Sequence, residues 1–141
     1  MKHSTVLRKK ILIIDDNVGI LFAVRKALEV KGYEVITSET FPGVTYVENI
    51  SPDLLFLDVS LVGQDGRQVA KELKADTNTN RIPIVMLTAY PNARELALGA
   101  GADDFLSKPF ELKDLWNISE KYTSIPERMP TLGKIKSTSI F

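Results

Sequence analysis

The chain contains no cysteine among its 141 residues, which excludes a disulfide framework and a thiolate metal site. It has no net charge, because 18 basic residues balance 18 acidic ones, so nothing attracts it generally to nucleic acid or an anionic membrane. Long hydrophobic runs are also missing. The purest runs, residues 11–14 and 54–57, fall far short of the ~18 residues of a membrane-spanning helix. The sequence therefore predicts no DNA-binding module and no membrane insertion.

Histidine is almost absent as well. His3 is the only one, and it lies in a basic N-terminal segment that we interpret as solvated, so a histidine phosphoacceptor in the core is excluded. The lack of cysteine fits a reducing compartment, and we expect the protein to be cytoplasmic.

What the chain does contain is typical of one globular domain, with 44% apolar and 26% charged residues. Short apolar runs alternate with helical patterns, and several runs are continuous, as in strands that are buried on both faces. This alternation predicts an α/β sandwich with a doubly wound parallel sheet. The predicted strands are 11–15, 33–37, 53–58, 82–88 and 103–107, and the predicted helices are 17–31, about 42–50, 66–75, 92–99 and 111–122. We expect residues 8–123 to form the domain and residues 124–141 to be a C-terminal tail without an output domain.

Polar residues stand where the predicted strands end. Asp15 and Asp16 follow the first strand, Asp58 ends the third, Thr88 ends the fourth and Lys108 follows the fifth. In an open α/β sheet these ends form one edge, where ligands bind. Three carboxylates there would repel one another unless a hard divalent cation neutralised them, and Mg²⁺ fits because it needs few protein carboxylates. The set favours a site for an acyl phosphate, with a nucleophile, a cation, an ammonium and a hydroxyl.

Each of these residues also has an ordinary structural explanation. The Asp15–Asp16 pair could cap the first helix, Asp58 could be a loop residue, Thr88 a turn residue and Lys108 a solvated loop lysine. The prediction depends on their conjunction at one edge. Gly63 and Gly66 lack the pattern of a phosphate-binding loop, and we interpret them as turn residues.

Four stretches of the chain resemble the receiver domains of bacterial two-component response regulators, over about residues 8–122. They are ILIIDDN at 11–17, PDLLFLDVSLVGQDG at 52–66, IPIVMLTAY at 82–90 and GADDFLSKPF at 101–110. The resemblance implies a flavodoxin-like five-stranded sheet in the order 2-1-3-4-5. It also implies Asp58 as the phosphoacceptor, with Mg²⁺ held by Asp15, Asp16, Asp58 and the backbone carbonyl of Ser60.

The resemblance assigns further roles by position. Thr88 and Lys108 would bind phosphoryl oxygens, and Phe105 would be the aromatic switch residue, although it lacks the hydroxyl of a tyrosine. Ser60 and Tyr90 would tune the lifetime of the phosphoryl group, and the Lys108–Pro109 peptide would be cis. The interval from Thr88 to Lys108 is shorter than in most relatives, which predicts a short fourth helix.

The implied function is a phosphorelay switch. The partners would be a histidine kinase or phosphotransfer protein and a downstream protein effector, with phosphorylation-dependent dimerisation left open. The domain would catalyse only its own phosphorylation and dephosphorylation. Two alternatives remain: an interaction module of the same fold that signals without phosphate, and a phosphatase that forms an aspartyl phosphate. The phosphatase usually has a second Asp two residues after its nucleophile on the first strand, where this chain has the adjacent pair Asp15–Asp16.

Overall fold

The computed structural model describes residues 7–124, so the predictions about His3 and about residues 125–141 lie outside the described part of the chain. Strands and helices alternate. The strands are β1 (Lys10–Ile14), β2 (Glu34–Ser38), β3 (Leu54–Asp58), β4 (Ser60–Leu61), β5 (Gln64–Asp65), β6 (Ile84–Thr88) and β7 (Asp104–Ser107). The helices are α1 (Val18–Glu29), α2 (Val44–Ile50), α3 (Gly66–Ala75), α4 (Ala93–Gly99) and α5 (Leu112–Thr123).

Five strands form a parallel sheet in the order β2-β1-β3-β6-β7. Since β4 and β5 form a separate two-stranded hairpin, β6 and β7 are the fourth and fifth strands of the main sheet. The predicted doubly wound sheet with strand order 2-1-3-4-5 is therefore confirmed.

The sheet is covered on both faces, which explains its continuous apolar runs. Side chains that alternate along each strand enter two separate cores. One core includes Leu12, Leu55 and Met86 and packs against α2, α3 and α4, while the other includes Ile13 and Phe56 and packs against α1 and α5. Each fully buried aliphatic or aromatic side chain contributes about 1.5–3 kcal/mol through the hydrophobic effect.

Side-chain caps determine where two of the long helices begin. Asn17 Oδ1 accepts a hydrogen bond from the Ile20 amide at the start of α1, and Asp65 Oδ1 accepts one from the Arg67 amide at the start of α3. Both caps leave the helix N-termini at the edge of the sheet where β1 and β3 end. Across residues 7–124, none of the five helices combines the length and the apolar character that a bilayer crossing requires.

Candidate functional site

The carboxyl ends of four parallel strands meet at one edge of the sheet. Ile14, the last residue of β1, lies opposite Leu57 of β3, so Asp15 and Asp58 extend from neighbouring strands. Thr88 ends β6, and Lys108 directly follows β7. The backbone of Lys108 is held there because its amide donates to the Thr88 carbonyl at 2.7 Å.

Three carboxylates converge at this edge. Asp15 is 0% exposed, Asp58 is 4% exposed and Asp16 is half-buried. One carboxylate oxygen of each lies within 4.8 Å of the others. The Asn17 amide donates to Asp15 Oδ1 at 2.8 Å and the Ser60 amide donates to Asp58 Oδ1 at 3.3 Å, so backbone donors fix two of the three carboxylates.

Lys108 brings a positive charge into the same cluster. Its Nζ lies 2.9 Å from Asp15 Oδ2 and 3.3 Å from Asp58 Oδ1. One ammonium therefore contacts two carboxylates that belong to different strands. The peptide that links Lys108 to Pro109 is cis.

The electrostatics of the cluster shift two ionisation equilibria. Burial raises the pKa of the Asp58 carboxyl and the charge of Asp15 raises it further, while Lys108 and the Ser60 amide oppose the change. Burial alone lowers the pKa of Lys108, but the contacts with Asp15 and Asp58 outweigh burial and the pKa is raised overall. The ammonium therefore stays charged at neutral pH, whereas burial and the charge of Asp15 both disfavour the ionised form of Asp58.

Within residues 7–124, two buried side-chain oxygens have no hydrogen-bond partner, Asp15 Oδ2 and Ser119 Oγ, and Asp15 Oδ2 is the one that lies at this site. Asp15 Oδ2 forms an ion pair with Lys108. A buried carboxylate oxygen normally has a hydrogen-bond donor or a metal ion. The set of carboxylate oxygens suits a hard divalent cation such as Mg²⁺, which prefers oxygen ligands.

Hydroxyl groups line the rim of the site. Thr88 is 2% exposed, and its Oγ1 accepts a hydrogen bond from the Tyr90 amide at 2.9 Å. Ser60 Oγ donates to the Tyr90 hydroxyl at 3.4 Å, which links the loop after β3 to the loop after β6. The predicted residues Ser60, Thr88 and Tyr90 are thus connected to one another beside the carboxylates.

Phe105 does not belong to this polar cluster. It lies in the middle of β7, and its half-buried ring packs against the core that lies under α2, α3 and α4. Any effect of Phe105 on the site must therefore pass through packing.

Gly66 is a structural residue of the site that the sequence analysis treated as an ordinary turn glycine. A Cβ at this position would lie 2.1 Å from the Asp58 carbonyl oxygen and 2.8 Å from Val59 Cα. The Gly66 amide also donates to the Val59 carbonyl at 2.8 Å. The start of α3 therefore packs directly on the backbone that carries Asp58. The one signal in the sequence is a glycine at the first position of the predicted helix 66–75.

Comparison with known proteins agrees with this geometry. A family model described as the response regulator receiver domain matches residues 11–120. The phosphate regulon transcriptional regulatory protein PhoB of Pseudomonas aeruginosa is 40% identical over 110 residues, which cover 76% of this chain and 48% of PhoB. The sensor protein GacS of Pseudomonas syringae pv. syringae is 35% identical over 127 residues, which cover 86% of this chain and 14% of GacS. The chain thus spans less than half the length of these curated relatives.

Solved structures show the same fold. A response regulator from Chloroflexus aurantiacus superposes with a TM-score of 0.79 at 30% identity, over 84% of this chain and 99% of that one. The receiver domain of the sensor histidine kinase PA1611 from Pseudomonas aeruginosa gives a TM-score of 0.76 at 30% identity, again over 84% and 99% of the two chains. The PA1611 domain has a magnesium ion coordinated in its active-site cleft.

Proposed function

Because the chain belongs to the response regulator receiver domain family, we propose that Asp58 accepts a phosphoryl group and that phosphorylation changes the affinity for a partner protein. One observation carries the proposal. The nearly buried Asp58 carboxylate lies among two further carboxylates and an ammonium at one edge of the sheet. We take residues 8–123 as the unit that performs this function.

The reaction would be an in-line phosphoryl transfer from a histidine kinase or phosphotransfer protein. A carboxylate oxygen of Asp58 attacks the phosphorus of a phosphohistidine, the P–N bond breaks and the imidazole leaves with its electron pair. Lys108 offsets the charge that builds up on the phosphoryl oxygens, and the Thr88 hydroxyl donates to one of them. The acyl phosphate later hydrolyses, so the domain would catalyse only its own phosphorylation and dephosphorylation.

Magnesium fits the oxygen donors of the site. Asp15, Asp16 and Asp58 would hold it through carboxylate oxygens, with the Ser60 backbone carbonyl as a further ligand. When bound, the ion supplies positive charge that neutralises the carboxylates and the incoming phosphoryl oxygens. Ser60 and Tyr90, whose hydroxyls meet above the site, would control the access of water and hence the lifetime of the acyl phosphate.

The conformational change would be transmitted from the site through β6 and β7. If the Thr88 hydroxyl turns toward the phosphoryl group, it alters the packing space beside the half-buried ring of Phe105. That ring would then repack inward. The surface formed by α4, β7 and α5 would change its affinity for a downstream protein, or for a second copy of the chain. We propose a cytoplasmic location and no direct contact with nucleic acid.

Incubation with acetyl phosphate and Mg²⁺, followed by intact-mass measurement, tests the proposal. We expect the wild-type protein to gain one phosphate and Asp58→Ala to gain none. Asp114→Ala is the matched control, because Asp114 is an exposed aspartate on α5 that does not belong to the carboxylate cluster, and this variant should be labelled like the wild type. Equal labelling of Asp58→Ala and wild type would contradict the assignment. Labelling confined to Asp58 without any phosphate-dependent partner binding would instead favour a relay role.

A further inference from the structure

Helix α4 begins without the side-chain cap that α1 and α3 possess. Asn17 and Asp65, the caps of α1 and α3, have extended backbones with ψ of 106° and 115°, and each accepts a hydrogen bond from a helix amide. Asn92 occupies the same position before α4, yet its ψ is 45° and its side chain accepts no helix amide. The φ of Asn92, −100°, is close to the −88° and −96° of the other two caps. A single backbone rotation therefore separates Asn92 from a capping conformation.

The local sequence favours that missing cap. Asparagine is among the best N-cap residues, and Glu95, three residues later, completes the pattern of a capping box. Helix α4 has only seven residues and buries only the small side chains Ala93 and Ala97 as core contacts, so little else stabilises its first turn.

The opposite end of α4 is well fixed. Gly101 has a φ of +83°, its amide donates to the Leu98 carbonyl, and the Ala102 amide donates to the Ala97 carbonyl. These two bonds form a Schellman motif. The N-terminal end of α4, which follows the loop from the carboxyl end of β6, has no such side-chain cap.

A hydrogen bond within the preceding loop accompanies the uncapped state. Thr88 Oγ1 accepts from the Tyr90 amide and closes the turn that leads toward Asn92. Pro91 has a fixed φ and disfavours a helical conformation for Tyr90, so within the segment 90–92 the backbone of Asn92 is the least restricted.

We propose that Asn92 is a conditional N-cap of α4. The helix begins uncapped while Thr88 Oγ1 accepts the hydrogen bond from the Tyr90 amide, and the Asn92 side chain caps the helix when that hydrogen bond is broken. The natural trigger rests on the proposed function, in which the Thr88 side chain turns toward a phosphoryl group on Asp58. Phosphorylation would then order the first turn of α4. Leu98, near the other end of the same short helix, is 57% exposed and available to a partner protein.

Backbone amide hydrogen exchange, measured by NMR at Arg94 and Glu95, tests the cap. In the unphosphorylated wild type we expect no protection, and Asn92→Ala should change nothing. After phosphorylation with acetyl phosphate and Mg²⁺ we expect about fivefold protection, the usual effect of an N-cap. Asn92→Ala should abolish this protection, whereas Asn92→Ser, which keeps a capping side chain, should retain most of it.

A second arm needs no phosphate. Thr88→Ala removes the acceptor that holds the Tyr90 amide, so protection of Arg94 and Glu95 should appear in the unphosphorylated variant and disappear in Thr88→Ala/Asn92→Ala. Thr88→Ser keeps the acceptor and should behave like the wild type. Absence of Asn92-dependent protection in Thr88→Ala would overturn the conditional cap. Failure of Asp58 to take up phosphate would instead overturn the proposed function. The Thr88→Ala experiment would then still test the conditional cap, because it needs no phosphate.

Discussion

Replacing Gly66 by alanine tests how closely the start of α3 positions Asp58. The new Cβ would lie 2.1 Å from the Asp58 carbonyl oxygen, where ordinary contacts begin at 3.4 Å, and the obstructing atoms belong to backbone. The helix start and the loop must therefore separate by about 1 Å, which also breaks the bond from the Gly66 amide to the Val59 carbonyl. Overpacking and the lost hydrogen bond together should lower the free energy of unfolding by about 2–4 kcal/mol.

The same displacement should slow phosphorylation. A misplacement of about 1 Å at a reacting group can reduce a rate by on the order of 100-fold. Urea unfolding and the rate of labelling by acetyl phosphate measure the two effects on one protein preparation. Gly99→Ala is the matched control, because it lies in the last turn of α4 with open space around its Cβ, and it should be neutral or stabilising by up to about 1 kcal/mol. Wild-type stability together with a wild-type labelling rate in Gly66→Ala would refute the close packing of α3 on the loop.

Three further predictions concern charge and backbone strain. In a thermal shift assay, Mg²⁺ at one hundred times its Kd should raise the free energy of unfolding by about 2.7 kcal/mol. Asp16→Asn should reduce this stabilisation by Mg²⁺. The same variant should be more stable than the wild type without magnesium, because the substitution removes one of three repelling carboxylates. Burial and the hydrogen bond to Asp104 raise the pKa of Tyr122 from 10.0 to about 12. The contribution of the Tyr122 hydroxyl to stability is therefore complete below pH 10 and lost between pH 10 and 12. Unfolding experiments across this pH range should show the loss in the wild type and not in Tyr122→Phe. Ser51 has a φ of +52°, a left-handed backbone conformation that is strained for serine and not for glycine. Ser51→Gly should therefore raise the free energy of urea unfolding by about 0.5–1 kcal/mol. A loss of stability in this variant would contradict the backbone strain at Ser51.

The parts of the fold that the sequence predicted are those in which local pattern and tertiary environment agree. The continuous apolar runs at 11–14 and 54–57 are strands because both faces of the sheet are covered, and α1 begins after Asn17 because that side chain caps it. The convergence of Asp15 with Asp58 followed from parallel topology. The hairpin β4–β5 and the contact of Gly66 with Asp58 could not be predicted, since both depend on how α3 packs against the loop. The capping pattern at Asn92 is present in the sequence but not formed in the structure.

A charge count at the site links its stability to its function. Asp15, Asp16 and Asp58 carry three negative charges and Lys108 carries one positive charge, so two negative charges remain in excess although the whole chain is neutral. A single divalent cation would cancel that excess, which is why magnesium suits the oxygen donors of this site. In the proposed function, phosphorylation would replace the carboxylate charge of Asp58 with the larger charge of the phosphoryl oxygens, so the site would become more negative. Further hydrogen-bond donors would then be favoured at the phosphoryl group, and Thr88 offers a hydroxyl at the end of the adjacent strand, β6. By this argument the added charge would act on the Thr88–Tyr90 turn and, through it, on the start of α4.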